Sequence, residues 1–390
     1  MAATMIVDTD THVTESADLW TSRLPREWGD QVMRVEWNDD MKSEVWCLGG
    51  KVVTKAWTGC MYGWDEPFPS APATRADAHP STYDVAERVK LMDEHGVRTA
   101  VLYPNIAGLL FDPFVTYPDP AISAAHVSAY NDFQLEWSSA FPGRFVPMIV
   151  IPYWDVPRTV AEIERLAGQG YGGVVTTGAP HLHDQPYVGD RHWDPVWQAC
   201  VDAGLSVSFH AANADMSEQL APARFLVDGA AATVARTSTV AFLDNAKQVT
   251  DLLLSGVCAR FPDLKFVSVE SGLGWIPFVL ESCDYHFKKG RVDKEKPEFG
   301  DLLPSNLFHR QVYVNFWFEE LQPWQVEAIG ADNIMFETDF PHPTCLDGEQ
   351  IARAIDVGLA SQPEDVREKI LWRNAARLYG LDIGNSERPS

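Results

Sequence analysis

Eight short apolar runs, rich in β-branched residues, alternate along this chain with longer helical patterns. Such alternation is typical of a parallel sheet whose strands are joined by helices. Eight β–α units favour a closed barrel over an open doubly wound sheet, and no glycine fingerprint for a dinucleotide follows the first run. The sequence therefore predicts an α/β fold, a single (β/α)8 TIM barrel, with strands at 5–10, 98–102, 145–151, 173–177, 206–210, 265–270, 311–316 and 333–338.

The helical patterns between these runs end at residues that stop helices. The patterns at 83–95, 156–167 and 194–203 each end immediately before a glycine, and the pattern at 244–260 is followed by Pro262. Glycine just past the last turn and proline beyond it are both common at helix ends. The alternation of strand and helix is therefore supported at its boundaries.

We expect one domain over residues 1–383, because a barrel of this kind commonly occupies such a length alone. Insertions at about 28–80, 211–239 and 287–307 interrupt the alternation, and 384–390 is expected to form a disordered tail. The first two insertions follow carboxyl ends of strands, where barrel enzymes build their pockets. A hairpin is predicted in the first and a lid helix in the second, and the two could form substrate walls or surface decoration.

The composition limits the partners and the compartment. A net charge of −24 disfavours nucleic acid and anionic lipid, because both are bound through basic side chains. No apolar run has the length of a membrane span, the first residues lack the regions of a signal peptide, and the six cysteines are scattered. We therefore expect a cytoplasmic protein that acts on a small molecule, and the sequence leaves open whether it is a homo-oligomer.

The first strand carries the strongest chemical signal, because it ends in Asp8-Thr-Asp10-Thr-His12. Strand side chains alternate between faces, so that these two acids and the histidine share one face. At the carboxyl end of a barrel's first strand, Asp10 and His12 could hold one ion from the same side. Asp8 lies one layer deeper and is expected to support them through hydrogen bonds.

Three further strands end in groups that bind metals. His210 closes the fifth strand, Glu270 the sixth and Asp339 the eighth, all at the same rim. Buried ionisable groups are costly without a partner, and one cation would serve all of them. Glu270 could instead accept a hydrogen bond or act as an acid or base. His342 could touch substrate or cap its loop, whereas alternation points Glu337 outward or towards another layer.

The chain resembles the amidohydrolase superfamily, in the branch that is similar to aminocarboxymuconate-semialdehyde decarboxylase. The resemblance covers almost the whole chain and implies a metal-binding barrel. That branch includes decarboxylases, hydratases and hydrolases alike, so that the resemblance leaves the reaction open. It is carried by Asp8-x-Asp10-x-His12, His210, Glu270-Ser-Gly-Leu-Gly-Trp275-Ile-Pro277, Thr338-Asp339-Phe-Pro-His342 and Asn374-Ala-Ala-Arg-Leu-Tyr379-Gly.

Two departures from that family's pattern affect the metal. Asp10 replaces the first histidine of the usual H-x-H, and Glu270 replaces a histidine that manages protons. The resulting set of two imidazoles and up to three carboxylates suits iron or manganese better than zinc. One or two divalent ions are expected, with Glu270 or Asp10 as the bridge if there are two.

Hydrolysis is the reaction that this ligand set favours in our interpretation. A metal-activated water would attack an ester, lactone, amide or thioester of an aromatic or polycyclic acid, with Asp339 and Glu270 as the catalytic residues. One alternative is the non-oxidative decarboxylation of an aromatic or dienoic acid, and another is a non-catalytic, metabolite-binding barrel. The candidate substrate contacts are His342, Trp275, Tyr62, Trp64, Trp317 and Phe318.

Overall fold

The structure is a computed structural model, and it describes residues 5–107, 113–211 and 221–383. The described residues form eleven strands, which we number in chain order. They are β1 (Ile6–His12), β2 (Arg34–Asn38), β3 (Ser43–Leu48), β4 (Lys51–Lys55), β5 (Val97–Tyr103), β6 (Phe145–Val150), β7 (Gly173–Thr176), β8 (Ser206–His210), β9 (Phe266–Val269), β10 (Val312–Phe316) and β11 (Ile334–Phe336).

Eight of these strands close into a parallel barrel in the order β1-β11-β10-β9-β8-β7-β6-β5. Each barrel strand overlaps one of the eight predicted runs, so the predicted (β/α)8 TIM barrel is confirmed. The alternation identified the strands because consecutive strand residues face opposite sides. Ile6 and Val7, for example, belong to two different buried apolar clusters, and so do Ile334 and Met335. The sheet is therefore apolar on both faces, as a barrel surrounded by helices requires.

The closing seam of the barrel, where β1 meets β11, has few strand contacts. The ladder between these two strands registers Asp8 opposite Phe336. Beyond the end of β11, the amide of Asp339 donates to the carbonyl of Asp10 at 2.9 Å, and the amide of His12 donates to the carbonyl of Phe340 at 2.6 Å. The seam therefore continues past the regular strands and brings residues 10–12 beside residues 339–340.

Helices surround the barrel and occupy its loops. The α-helices of the described residues are α1 (Val85–His95), α2 (Pro120–Ser139), α3 (Val156–Leu166), α4 (Asp194–Ala203), α5 (Pro222–Asp228), α6 (Ala230–Ser255), α7 (Val257–Arg260), α8 (Ile276–Gly290), α9 (Val292–Glu295), α10 (Pro304–Gln311), α11 (Pro323–Ile329), α12 (Gly348–Arg353), α13 (Glu364–Glu368) and α14 (Asn374–Leu378). Shorter 3₁₀ turns are Arg26–Gln31, Arg75–Asp77, Pro80–Thr82, Pro180–His183, Arg191–Trp193 and Pro297–Phe299, and π-helical segments are Ala354–Gly358 and Lys369–Arg373.

The helix ends follow the predicted signals. α1 begins after Asp84, whose side chain accepts hydrogen bonds from the amides of Ala86 and Glu87, and it ends at Gly96 in the left-handed conformation. The pattern predicted at 244–260 is the end of a longer helix, since α6 begins at Ala230 and breaks at Gly256, with α7 completing the range. Among the described helices, none combines the length and the apolar character of a membrane span.

The predicted insertions have structure of their own. The segment 28–80 contains an antiparallel sheet of β2, β3 and β4, in which β3 and β4 form the predicted hairpin. The segment 211–239 contains α5 and the start of α6, whereas residues 212–220 lie outside the described residues. The segment 287–307 contains the end of α8, α9 and the start of α10. The tail at 384–390 lies outside the described residues, and the division into one domain stays a prediction.

Candidate metal centre

Four groups from separate parts of the chain meet at the carboxyl end of the barrel. Asp10 and His12, at the end of β1, are fully buried, and their Oδ1 and Nε2 atoms are 3.4 Å apart. The Nε2 of His210, at the end of β8, is 3.4 Å from the same oxygen of Asp10. Asp339, just past β11, places its Oδ1 3.3 Å from His12 Nε2. The structure therefore brings these predicted ligands together.

Backbone carbonyls fix the tautomers of the two imidazoles. The Nδ1 of His12 lies 2.8 Å from the carbonyl of Pro104, and the Nδ1 of His210 lies 3.0 Å from the carbonyl of Ala211. A carbonyl only accepts, so each Nδ1 carries the proton and each Nε2 directs a lone pair towards Asp10. This arrangement is typical of histidines that bind metals, whose other ring nitrogen is held by a hydrogen bond.

The groups at the centre are buried and lack hydrogen-bond partners among the described residues. They are the Nε2 atoms of His12 and His210, both carboxylate oxygens of Asp10, and Oδ1 of Asp339. Buried polar atoms without partners are costly, and a divalent cation would satisfy all five at once. The residues therefore fit a metal ion, as the sequence predicts.

Three overlapping sets of side chains place their ligand atoms within 4.8 Å of one another. Glu270 forms one set together with Asp10 and Asp339. Its Oε2 is also 3.6 Å from Nδ1 of His210. His342 belongs to another, although the sequence predicted only a substrate contact or a loop cap for it. The number of ions stays a prediction. The sets are Asp10–His12–His210, His12–Asp339–His342 and Asp10–Glu270–Asp339.

The electrostatics of the centre also favour a cation. Burial, followed by repulsion from Asp339, raises the pKa values of Asp10 and Glu270 well above their ordinary range. Burial, with His342 nearby, lowers the pKa of His12 to about 3, which keeps this imidazole neutral. Burial opposes ionisation of Asp339, but His342 and His12 outweigh it and hold the pKa of this carboxyl below its usual range. A neutral imidazole and crowded carboxylates are the forms that bind metals.

Two of the carboxylates stand on strained backbone. Glu270 has φ of 52° and Asp339 has φ of 60°, in the left-handed region that favours glycine. Such a conformation costs a non-glycine residue on the order of 1–3 kcal/mol and is concentrated at functional sites. Glu270 comes directly after β9 and Asp339 comes three residues after β11, where the chain turns and directs their side chains towards the centre.

Glu337 corrects the sequence analysis, which pointed it outward or towards another layer. Its side chain is fully buried, and its Oε2 accepts hydrogen bonds from the amide of Glu270 at 3.0 Å and from Nδ2 of Asn315 at 2.6 Å. The alternation failed because β11 ends at Phe336, so that the two-residue period no longer applies between Glu337 and Asp339. The second acidic residue in the motif Glu337-Thr-Asp339 was the available signal.

His342 is held in a defined orientation next to Asp339. The Nδ2 of Asn105 donates to the carbonyl of Val13 at 2.9 Å, which turns Oδ1 of Asn105 towards His342 Nε2 at 2.6 Å. The Nδ1 of His342 then faces Oδ1 of Asp339 at 2.8 Å. The His342 ring is stacked on His12 with a centroid separation of 3.7 Å. This places Nδ1 of His342 and Oδ1 of Asp339 within reach of a proton transfer, directly beside the candidate ligands.

Gly59 makes room for this pair of side chains. A Cβ at this position would lie 2.6 Å from Oδ1 of Asn105 and 3.4 Å from the His342 ring. Asn105 itself is also held through its main chain, because its backbone amide donates to the buried carboxylate of Glu15 at 3.1 Å. Sequence reasoning missed Asn105 and Glu15, since neither carries a motif.

The aromatic residues predicted to line a pocket lie in different surroundings. Tyr62 contacts the rings of His79, His95 and Phe340. Trp64 donates to the hydroxyl of Ser70 at 3.3 Å. These contacts hold the loop of the first insertion, and a role in substrate binding stays a prediction for both residues.

The other three aromatic residues lie on loops after β9 and β10. The indole of Trp275 donates to the carbonyl of Ser271 at 2.9 Å. Trp317 is buried and Phe318 is half exposed, and both contact the ring of Phe242 on α6. Trp317 and Phe318 therefore pack against the long helix α6, which begins within the second insertion. Their contact with a substrate also stays a prediction.

Asp8 occupies the supporting position that was expected. It is buried, accepts from the amide and hydroxyl of Thr338, and accepts from the amide of Asp10 at 3.3 Å. It therefore joins β1 to the loop that carries Asp339. Burial raises the pKa of Asp8 to about 7, although the hydrogen bonds from Thr338 and Asp10 favour the charged form.

The raised pKa of Asp8 predicts a pH dependence of stability. The folded protein holds this proton up to about pH 7, whereas an unfolded chain releases it near 3.8. The contribution of Asp8 to the free energy of unfolding is therefore full below pH 3.8 and is lost as the pH rises to about 7. In urea denaturation of the metal-free protein, Asp8→Asn should reduce this decline. Parallel pH profiles for the two proteins would contradict the prediction.

A comparison with known proteins identifies the family. The family model described as "Amidohydrolase" matches residues 7–381. The chain belongs to this family. The amidohydrolase is 28% identical over 308 residues to gamma-resorcylate decarboxylase of Polaromonas sp. (strain JS666), with 76% of this chain and 87% of that protein covered. It is 26% identical to gamma-resorcylate decarboxylase of Rhizobium sp. (strain MTP-10005), with 76% and 86% covered.

Solved structures share the fold of the amidohydrolase. An amidohydrolase from Mycobacterium avium subsp. paratuberculosis K-10 has a TM-score of 0.74 at 23% identity, covering 96% of this chain and 99% of that chain. The 5-carboxyvanillate decarboxylase of Sphingomonas paucimobilis has a TM-score of 0.65 at 22% identity, covering 97% and 99%. A dihydroxybenzoic acid decarboxylase from Polaromonas sp. JS666, solved with manganese and 2-nitroresorcinol, has a TM-score of 0.65 at 20% identity, covering 97% and 98%.

These relatives correct the predicted reaction. The prediction of an enzyme in the amidohydrolase superfamily is confirmed, but the prediction of hydrolysis is wrong, because the matched relatives are named as decarboxylases. Our reasoning gave too much weight to the missing histidine at position 270. It did not anticipate that His342 lies 2.8 Å from Asp339 and could manage a proton there.

Proposed function

We propose that this amidohydrolase is a metal-dependent, non-oxidative decarboxylase of an aromatic acid that carries a hydroxyl group next to its carboxylate. The proposal is supported by relatives named for gamma-resorcylate and by the fold shared with a 2,6-dihydroxybenzoate decarboxylase, whose substrate has hydroxyls on both sides of the carboxylate. A dienoic acid, the other substrate class of the decarboxylase alternative, has no such support.

The observation that carries the proposal is the pair formed by Asp339 and His342. Decarboxylation of an aromatic acid needs a proton donor for the ring carbon, and a hydrolase needs a base for water. Burial opposes ionisation of Asp339, but His342 outweighs it and lowers the pKa of this carboxyl, which favours the carboxylate facing Nδ1 of His342. Asn105 accepts from the opposite ring nitrogen and holds the imidazole in place to donate. His342 is 18% exposed while Asp339 is fully buried, so the imidazole is the member nearer to the open side.

Asp10, His12, His210 and Asp339 would hold the metal, with Glu270 beside them. When bound, a divalent cation such as Mn²⁺ supplies the positive charge that holds the substrate's carboxylate and neighbouring hydroxyl oxygen. The carboxylate-rich set suits manganese or iron. Without the cation, the carboxylates of these residues would repel an anionic substrate.

The reaction exchanges a carboxylate for a proton at one ring carbon. The bond between that carbon and the carboxylate breaks, its electron pair stays with the ring, and carbon dioxide leaves. The ring carbon takes the proton held between Oδ1 of Asp339 and Nδ1 of His342. Asn105 keeps the imidazole aligned throughout, because its amide is fixed by the carbonyl of Val13.

The proposed function is tested with the Mn²⁺-loaded enzyme and a panel of ortho-hydroxybenzoic acids, including 2,6-dihydroxybenzoate. Carbon dioxide release in D₂O should be accompanied by one deuterium at the ring carbon that lost the carboxylate. The methyl esters of the same acids provide the matched comparison for hydrolysis. Ester cleavage without carbon dioxide release from any acid would overturn the proposal.

Replacement of His342 by glutamine should lower kcat by roughly 10²-fold, the lower end of what a positioned proton donor contributes. Mn²⁺ affinity should change much less, because Asp10, His12, His210 and Asp339 are retained. Steady-state kinetics of carbon dioxide release and a Mn²⁺ titration measure the two effects. A variant with unchanged kcat would show that His342 does not manage the proton.

A further inference from the structure

We infer that Glu337 is a positioning residue, which holds the backbone of Glu270 in its left-handed conformation and thereby directs the Glu270 carboxylate towards the metal centre. The inference rests on the proposed metal centre and does not depend on which reaction the centre performs. Neither the sequence motifs nor the relatives assign a role to Glu337.

The contacts of Glu337 join three neighbouring strands. The residue follows β11, its Oε2 accepts from Nδ2 of Asn315 on β10 at 2.6 Å, and the same oxygen accepts from the amide of Glu270, just past β9, at 3.0 Å. Glu337 and Asn315 are fully buried, and Glu270 is half-buried at the barrel mouth. The hydrogen bond from the amide of Glu270 to this buried acceptor opposes the cost of a left-handed backbone at Glu270.

A second acid, the half-buried Glu319, holds the other end of the same loop. Glu319 accepts from the amide of Leu273 at 2.6 Å and from the amide of Trp317 at 3.2 Å. Gly272 lies between the two anchor points with φ of 61°, and a Cβ there would meet Glu319 at 2.7 Å. The loop after β9 is therefore tied down at both ends, with the Glu337 bond at the end that carries the candidate ligand.

The loss of the Glu337 carboxylate would leave the amide of Glu270 buried without its acceptor. The backbone of Glu270 would then relax from its positive φ, and its side chain would leave the position 3.6 Å from His210 that places it in the set with Asp10 and Asp339. Second-shell groups of this kind typically change metal affinity by about 10–100-fold.

Glu337 could instead be a metal ligand, because its Oε1 has no hydrogen-bond partner among the described residues and could itself bind a cation. Glu337→Gln separates the two roles. Glutamine keeps a carbonyl oxygen that accepts from Glu270 and Asn315, but its amide nitrogen cannot bind a metal. Glu337→Met keeps the length of the side chain and removes the acceptor.

The experiment measures Mn²⁺ affinity of the metal-stripped, full-length protein from the EPR signal of free Mn²⁺. We expect Glu337→Gln to bind within about 2-fold of the unchanged protein, and Glu337→Met to bind about 10–100-fold more weakly. Glu270→Gln should weaken binding by a similar factor, and the double variant Glu337→Met/Glu270→Gln should be no weaker than Glu270→Gln alone. Glu320→Ala, an exposed neighbour of the second anchor, is the matched control and should bind normally.

Three results would overturn the inference. Weak binding by Glu337→Gln would make Glu337 a ligand, normal binding by Glu337→Met would remove its role, and additive losses in the double variant would separate Glu337 from Glu270. Thermal melts and circular dichroism check that each variant folds, and Glu337→Ala replaces the methionine variant if methionine is not accommodated. A failure of the proposed decarboxylation would leave this comparison intact, since it measures metal binding and not carbon dioxide release.

Discussion

Asp339→Asn should lower carbon dioxide release from the best substrate by about 10³-fold or more, because one carboxylate serves two functions. It is a candidate metal ligand 3.3 Å from His12 Nε2, and its Oδ1 lies 2.8 Å from Nδ1 of His342, the proposed proton donor. Asparagine is nearly isosteric but lacks the charge that both functions need. The measurement is kcat at saturating Mn²⁺, together with the metal content of the variant.

The control for this substitution is Asp356→Asn, which removes an exposed carboxylate from the segment that follows α12. Its activity should match that of the unchanged enzyme. The prediction fails if Asp339→Asn retains more than a tenth of the activity while it is fully loaded with metal. Full metal content with lost activity would assign the larger effect to the proton, whereas lost metal would assign it to ligation.

Exhaustive chelation should reduce carbon dioxide release to the background, and Mn²⁺ should restore it. Five buried atoms at the centre have no hydrogen-bond partners among the described residues, namely Nε2 of His12 and His210, both carboxylate oxygens of Asp10 and Oδ1 of Asp339. A bound metal would satisfy them and make the ligand set compatible with an anionic substrate. Chelation should also lower the melting temperature, because a ligand that binds only the folded state stabilises it by mass action, by about 2.7 kcal/mol at a concentration 100 times its Kd.

The melting temperature distinguishes the metal from a general effect of the chelator. His210→Ala removes one ligand, so its melting temperature should respond less to Mn²⁺ than that of the unchanged protein. Addition of Mg²⁺ in place of Mn²⁺ after chelation provides a further comparison, since Mg²⁺ is poorly matched to imidazole ligands. Activity that survives complete removal of metal would contradict both the metal centre and the proposed function.

The sequence carried enough information for the barrel and for most of the metal ligands. The strands could be predicted because apolar residues in a parallel barrel are needed on both faces, and the ligands because Asp10, His12, His210 and Asp339 all stand at strand ends. In this fold, the carboxyl ends of the strands share one rim. The position of an isolated polar residue along a strand was therefore sufficient to place it in space.

The parts that could not be predicted depend on turns. Glu337 lies beyond the end of β11, where the two-residue period no longer gives the direction of a side chain. Asn105 follows β5, and its contact with His342 joins loops that the pattern does not relate. The left-handed backbone of Glu270 could not be predicted either, because glutamate is not a residue type that favours this conformation.

The reaction was mispredicted for a different reason. A metal, carboxylates and an imidazole are compatible with hydrolysis and with decarboxylation, so that the ligand set alone does not select the chemistry. We weighed a single position, Glu270, as the place for a proton-managing histidine. The imidazole beside Asp339 comes three residues later in the chain, on a loop whose path only the fold reveals.

The closing seam has a consequence for how the protein is made. Asp8 and Thr338 are 330 residues apart and yet hydrogen-bonded, and the candidate ligands Asp10, His12 and Asp339 stand on the two sides of that seam. A nascent chain lacks Asp339, one of the four candidate ligands, until the segment after β11 has emerged from the ribosome. The complete ligand set therefore forms late in biosynthesis, and a bound ion would join β1 to the loop after β11.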